Sequence, residues 1–330
     1  LYNYKENFIE IVDIYQSIGL NHNTGLRGNL RSSVHAAEKK LTNLNSVQLL
    51  VDMLTLRRNE KEIARRTGRY IMVTCASVKN LDGDRICSTQ ELVLTTEADI
   101  IINNPDIDII VESMGGTDLA KTLVLKAIAQ GKHIVTANKA LIALHGNEIF
   151  AAAAKANVIV AYEAAVAGGI PIIKAMREGL SGNQINWLAG IINGTGNFIL
   201  TEMRDKGRDF EDVLSEAQAL GYAEADPTFD VEGIDAGHKL MILASIAFGV
   251  PLQFENVFTE GITKITREDV EYAGELGYRI KHLGIARKTD KGIELRVHPT
   301  LIPERRLIAN VDGVMNAVLV QADAVGPTLY

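Results

Sequence analysis

The chain has 330 residues, 47% hydrophobic and 23% charged, enough for two domains with cores of their own and typical of a globular protein. A net charge of −7 argues against a nucleic-acid-binding surface. Two cysteines, Cys75 and Cys87, exclude a disulfide framework or zinc knuckle, and no apolar run approaches the roughly 18–20 residues that span a bilayer.

The first residues, LYNYKENFIEIVDIYQ, show no secretory pattern, so a cytoplasmic enzyme or binding protein is expected. Residues 1–42 form an atypical N-terminal segment whose later part, SIGLNHNTGLRGNLRSS, is polar and loop-like. The stretch up to Arg66 reads as the first helix of a dinucleotide-binding unit. RYIMVTCASV is β-rich and ends at a polar turn, and PDIDIIVES is a second apolar run ending at Gly115-Gly116. TDLAKTLVLKAIAQGK has helical periodicity, with Thr117 as N-cap and Gly131 as a stop. HIVTANK, EIFAAAAKAN and VIVAYEAAV then read as strand, helix and strand. Short apolar strands alternating with helices predict an α/β fold with a doubly wound parallel sheet.

After residue 164 the character changes. A glycine turn leads into a helix, QINWLAGIING is strand-like, and DFEDVLSEAQALG and IDAGHKLMILASIAFG are helical. KHLGIARK and GIELRVHPTLI alternate like antiparallel strands. This predicts a second, α+β domain packed closely on the first.

In a doubly wound sheet, ligands bind beyond the carboxyl ends of the strands. That rule gathers Lys79, Ser113 to Gly116, and Asn138-Lys139 in one crevice. A cation at Lys79 suits a nucleotide 2′-phosphate, hence NADP over NAD; a solvated loop lysine is the plainer alternative. The segment LGYAEADPTFDVEGIDAGHKL places Glu224, Asp226, Asp230, Glu232 and Asp235 just ahead of Lys239. Asp235 and Lys239 are spaced i, i+4 and share a helix face. A lysine held among carboxylates suits proton donation to a carbonyl oxygen, and spare carboxylates suit an ammonium-bearing substrate. A surface acidic run is the plainer reading of the same residues. His238 points about 100° away from Lys239 and reads as a packing or surface histidine rather than a catalytic base. The turn YEAAVAGGIP leaves backbone carbonyls that suit a hard cation, or makes an ordinary domain-crossing turn. NGTGNF lines a pocket, or simply starts a helix at Thr195.

Taken together, LRRNEKEIARR, VESMGG, HIVTANKAL, YEAAVAGGIPII, NGTGNFIL, LGYAEADPTFDVEGIDAGHKL and GVMNAVLVQADAVGPT resemble homoserine dehydrogenase. The resemblance runs in the family's order from about residue 50 to the end. It implies a Rossmann-like doubly wound parallel-sheet domain plus an α+β substrate and dimerisation domain, and reversible NAD(P)H-dependent reduction of L-aspartate 4-semialdehyde to L-homoserine. By resemblance, Lys239 is the proton donor and Lys139 the second catalytic lysine. Glu224 ligates the substrate amino group, Asp230 and Asp235 organise the pocket, and Gly194 and Thr195 form a substrate-side loop. Lys79, Ser113, Lys139 and Gly326 match cofactor contacts, with NADP expected and NAD the alternative. Carbonyls of Glu163, Val166, Gly168 and Ile170 match a monovalent-cation site, usually sodium. A homodimer is implied, with a small amino-acid substrate and neither nucleic acid nor membrane as partner.

The expected division is 43–163 for an incomplete NAD(P)-binding domain, 164–304 for the substrate and dimerisation domain, and 305–330 for a return segment to the nucleotide domain. The family's phosphate loop is glycine-rich, whereas Asn43, Asn45, Gln48 and Leu50 stand at the aligned positions, which predicts weak cofactor binding. The sequence ends shortly after Gly326-Pro327, so a truncated final helix and no regulatory domain are expected. A non-catalytic homologue that dimerises or binds an amino acid is the alternative reading.

Overall fold

The computed structural model describes Gly68, residues 71–83, Thr89 and residues 92–330. The expected phosphate loop at 43–50, the helix up to Arg66, the first 42 residues and Cys87 lie outside the described residues. The chain gathers into two compact units: Leu1–Cys75 with Asn80–Leu94, and Ala76–Lys79 with Thr95–Tyr330. The short strands β1 (Cys75–Ser77) and β2 (Val93–Thr95) fall at the sequence borders of these units.

The second unit opens with helix α1 (Ala98–Ile102), followed by β3 (Ile109–Glu112), α2 (Asp118–Ala129), β4 (His133–Thr136), α3 (Lys139–Ala156) and β5 (Val160–Ala161). Strands β3, β4 and β5 form a parallel sheet, with Glu112 opposite Thr136 and Ile134 opposite Val160. The predicted strand–helix alternation is borne out, but the strands are shorter than their apolar runs. Beyond Ala161 the run VIVAYEAAV leaves the strand, and Glu163–Ala165 coils into a 3₁₀ turn. Thr117 stands at the N-cap of α2, yet its hydroxyl makes no cap hydrogen bond. Helix α3 begins well before the predicted EIFAAAAKAN, because the Asn138 side chain accepts from Leu141 N and caps it.

A short helix, α4 (Ile172–Lys174), continues into a wider π-type turn over Ala175–Gly179. Then come β6 (Ile185–Ile191), α5 (Gly194–Lys206), α6 (Phe210–Ala219), α7 (Thr228–Val231), α8 (Ile234–Phe248) and β7 (Phe258–Thr259). The chain closes with α9 (Arg267–Glu275), β8 (Tyr278–Thr289), β9 (Gly292–Pro303), β10 (Ala317–Ala322) and β11 (Pro327–Leu329). The six strands run in the order β11-β10-β6-β8-β9-β7. All pairs are antiparallel except β7 with β9. The predicted KHLGIARK and GIELRVHPTLI pair is the long β8–β9 hairpin, with Leu283 opposite His298.

Helix α8 is the hub. Leu240, Met241, Leu243 and Ala244 are buried in a core shared with Ile134 of β4, Leu141 and Ile142 of α3, Leu188 of β6 and Val318 of β10. Burying a side chain of this size contributes roughly 1.5–3 kcal/mol. The helix therefore fixes the parallel sheet and the antiparallel sheet to one rigid axis. A second cluster under α5 and α6 joins Ile199, Met203, Phe210, Val213 and Ile262. Among the described residues, no helix is long and apolar enough to cross a membrane.

Candidate active site

The first turn of α8 carries a close acid–base pair, because Asp235 lies one helical turn ahead of Lys239. Lys239 Nζ donates to Asp235 Oδ2 at 2.6 Å and to the Ile192 carbonyl at 2.8 Å. An ammonium has three N–H donors, so one remains for a ligand. Lys139, the first residue of α3, reaches the other oxygen of the same carboxylate at 3.0 Å from Asp235 Oδ1. Two lysines from different helices thus share one aspartate that is 3% exposed. Burial would raise the Asp235 pKa, but Lys239 and Lys139 outweigh it and hold the carboxyl below its usual range.

Asn193 completes the cluster. Its Nδ2 donates to Asp230 Oδ1 at 2.8 Å and to Asp235 Oδ2 at 2.9 Å, while its Oδ1 accepts from Gly196 N at 2.7 Å and caps α5. Asp230 titrates the other way: burial lifts its pKa, and Asp235 nearby adds to the lift against the Asn193 bond. The acidic run therefore divides by role. Asp226 accepts from the Thr228 amide and hydroxyl and shapes a local turn, and Glu232 accepts from Thr263. Among the described residues nothing donates to the Glu224 carboxylate, which is exposed at the rim.

These groups open on a cavity of about 450 Å³ whose lining includes Lys139, Gly194, Thr195, Glu224, Asp230, Asp235 and Lys239. All seven residues expected at the substrate side and in catalysis meet here. Thr195 Oγ1 donates to the Tyr222 carbonyl at 2.6 Å and ties α5 to the loop that carries Glu224. Asn193, Tyr222 and Val314 also line the cavity; sequence reasoning reached Asn193 only as part of the NGTGNF stretch, without its capping role, and missed Tyr222 and Val314. The helix begins at Gly194 and is capped by Asn193, not started at Thr195 as the small residues imply. An Asn directly before a helix is an N-cap signal, so Asn193 was findable; Val314 comes from far along the chain and carried none. His238 packs between Phe229 and Phe254, with centroids 5.4 and 4.1 Å away, and burial pushes its pKa down. Of the two expected readings, packing or surface, the structure shows packing.

Of the cofactor-side residues only Lys139 lines this cavity; Lys79, Ser113 and Gly326 do not. Ser113 follows β3, at the carboxyl end of the parallel sheet, and the backbone turns there through Gly115 and Gly116 at φ +73° and +70°. A side chain rarely adopts that conformation, which explains the glycine pair. Glu112 accepts from Thr136 Oγ1 at 2.5 Å and from Met114 N, and Asn138 Nδ2 donates to Gly116 O at 2.7 Å. The ends of β3 and β4 are thereby locked into one rim bearing exposed glycine backbone, which fits a nucleotide. Lys79 is exposed. Gly326 sits in the β10–β11 turn, where its carbonyl accepts from Ala322 N.

The turn from Glu163 to Ile170 has an unusual backbone. Ala167 is 1% exposed and held at φ +47°, a strained conformation for a residue with a Cβ. The Glu163 carboxylate caps α4 by accepting from Ile173 N and Lys174 N. The Glu163 and Ile170 carbonyls accept from Val166 N and Ile172 N, whereas among the described residues no amide donates to the Val166 or Gly168 carbonyls. Irregular backbone with free carbonyls, buried at Val166 and exposed at Gly168, fits a hard cation. No group of three or more His, Cys, Asp or Glu suited to a metal occurs among the described residues.

Family models describe residues 53–163 as a homoserine dehydrogenase NAD-binding domain and residues 171–330 as homoserine dehydrogenase. A crystal structure of S. aureus homoserine dehydrogenase is 34% identical with a TM-score of 0.73, covering 84% of this chain and 68% of its own. The chain belongs to the homoserine dehydrogenase family. Homoserine dehydrogenase from Thiobacillus denitrificans matches at 67% identity and a TM-score of 0.80, over 84% of this chain and 64% of that one. The enzyme of Pseudomonas aeruginosa is 68% identical over 275 residues, 83% of this chain and 63% of its own length. The chain thus spans less than two thirds of these two relatives. A hyperthermophilic archaeal homoserine dehydrogenase, solved in complex with NADPH, matches at 26% identity and a TM-score of 0.63, over 82% of this chain and 75% of that one.

Proposed function

We propose that the chain catalyses the reversible NAD(P)H-dependent reduction of L-aspartate 4-semialdehyde to L-homoserine, serving threonine, methionine and isoleucine synthesis. The observation that carries this reading is the Lys239–Asp235–Lys139 cluster in a cavity that also holds the free Glu224 carboxylate. Glu224 receives the substrate ammonium, and Asp230 and the Asn193 cap shape the floor beneath it. Lys239 Nζ, fixed by Asp235 and Ile192 O, gives its remaining proton to the aldehyde oxygen, and takes one back in the oxidation direction. Lys139 adds a second positive charge where negative charge develops on that oxygen. The nicotinamide group, when bound, supplies the hydride. Ser113, Lys139 and Gly326 would hold it, with Lys79 reading a 2′-phosphate and favouring NADP.

The carbonyls of Glu163, Val166, Gly168 and Ile170 would hold a monovalent cation, probed as sodium, which would stiffen the turn between the two sheets' elements. A cytoplasmic homodimer formed through the antiparallel domain completes the reading.

The test is homoserine-dependent formation of reduced nicotinamide by the purified full chain. We expect turnover with NADP, and a fall of roughly 10²–10⁴-fold in kcat for Lys239→Met, the range a positioned proton donor contributes. A chain inert with both NADP and NAD, or a Lys239→Met variant within twofold of the parent, overturns the proposal.

A further inference from the structure

Outside the cavity, the most deeply buried charge among the described residues is Lys281 on β8. Its side chain is 1% exposed, and Nζ donates to three acceptors: Asn197 Oδ1 at 3.0 Å, Val311 O at 2.7 Å and Asp312 Oδ1 at 3.0 Å. All three ammonium donors are thus used. The same loop is gripped from α5. Asn197 Nδ2 donates to Val311 O at 2.9 Å and Met315 O at 3.2 Å, Thr201 Oγ1 accepts from Gly313 N at 3.1 Å, and Arg204 binds Asp312 at 2.9 Å. Asn197, Thr201 and Arg204 are spaced i, i+4, i+7, so one face of α5 holds the whole loop. Arg279 adds a longer contact to the other Asp312 oxygen at 3.5 Å.

A buried lysine–carboxylate pair is not in itself a good stabiliser. Replacing it with apolar side chains is often neutral or better, because desolvation offsets the attraction. What the pair provides here is the place of a loop. Val314, between Gly313 and Met315, lines the substrate cavity, and its carbonyl lies 2.9 Å from where a Cβ on Gly194 would stand. Lys281 itself does not line that cavity.

We propose that Lys281 is a positioning residue of the substrate pocket: with Asp312, Asn197 and Arg204 it clamps Val311–Met315 on α5 and so sets Val314 as one wall of the cavity. The role rests on the reading of the cavity as the homoserine site. Burial pushes the Lys281 pKa down and Asp312 draws it back up, while Arg204 and Lys281 outweigh burial to hold the Asp312 carboxyl at about 2, consistent with a charged clamp at neutral pH.

The experiment compares the full-length parent, Lys281→Met and Asp312→Asn by amide hydrogen exchange and by steady-state kinetics. We expect exchange of peptides covering 311–316 to quicken at least tenfold in both variants while α8 peptides keep parental protection. The homoserine KM should rise tenfold or more, with the nucleotide KM within twofold of parent. Asp312 has a side chain 38% exposed, so Asp312→Asn carries the test should Lys281→Met not fold. Unchanged exchange at 311–316 overturns the clamp. Faster exchange with an unchanged homoserine KM overturns its role in the pocket. A parent that neither turns over nor calorimetrically binds L-homoserine overturns the assignment of the cavity and with it the pocket role, and leaves the exchange result to judge the clamp.

Discussion

At the scale of the residue, the site is one carboxylate serving two ammonium groups. Asp235 has two oxygens and gives one to each lysine, so neither Lys139 nor Lys239 can be repositioned alone. Asparagine at 235 would keep the shape and lose the charge. Asp235→Asn is therefore expected to lower kcat by about 10²-fold, at the low end for a proton-transfer group, and to lower the thermal midpoint. The stability cost should stay below the ~3–5 kcal/mol of a fully enclosed pair broken on one side, because the Lys139 side chain remains 35% exposed to water. Differential scanning calorimetry checks the second part, and a midpoint equal to the parent's would show that the charge is idle in the fold. The i, i+4 spacing of Asp235 and Lys239 was visible in the sequence because both lie on one helix. The participation of Lys139 in the same carboxylate was not, since α3 and α8 are far apart in sequence and only the tertiary fold brings them together. Family resemblance, not spacing, pointed to it.

At the scale of the element, helix α5 does most of the positioning. Its N-cap holds two aspartates, its first turn lines the cavity, and its following turns grip Val311–Met315. Gly194 is where these tasks meet. A methyl group there would come within 2.9 Å of the Val314 carbonyl, and backbone cannot rotate out of the way as a side-chain end can. Gly194→Ala should raise the homoserine KM several-fold with little change in the nucleotide KM; equal effects on both would place the damage in the fold instead. The elements themselves were largely legible. Alternating apolar runs marked β3, β4 and their helices, and Lys281 to Ile302 alternated as the β8–β9 hairpin does. Their limits were not, because apolar residues such as Val166 continue past the last ladder hydrogen bond into a turn that is buried for other reasons. The tasks of Val314, in a loop, and Lys281, on β8, were invisible for a related cause: such residues acquire a task only from what the tertiary fold lays beside them.

At the scale of the whole molecule, one helix ties a parallel sheet to an antiparallel one, and charge reinforces the periphery. Asp312 binds Lys281, Arg204 and Arg279, and its carboxyl is held at about 2. A carboxyl whose pKa is lower folded than unfolded, here about 2 against roughly 3.9, adds stability above the higher value and loses it as pH falls through the lower one. Between pH 5 and 2 the urea midpoint of the parent should therefore drop more steeply than that of Asp312→Asn. Parallel curves would show that the network is equally strong with the carboxyl protonated.

The Asn193 cap also bears on how the protein ages. Asn193-Gly194 is the only Asn-Gly pair in the chain, and such pairs lose ammonia when the glycine nitrogen attacks the neighbouring amide carbon. Three hydrogen bonds hold that amide in place, so the native fold should suppress the reaction and partial unfolding should release it. The product would set a third acid against Asp230 and Asp235. Shelf life would then be governed by how often α5 frays, and mass spectrometry of aged samples should find the added dalton at residue 193 accumulating in step with lost activity.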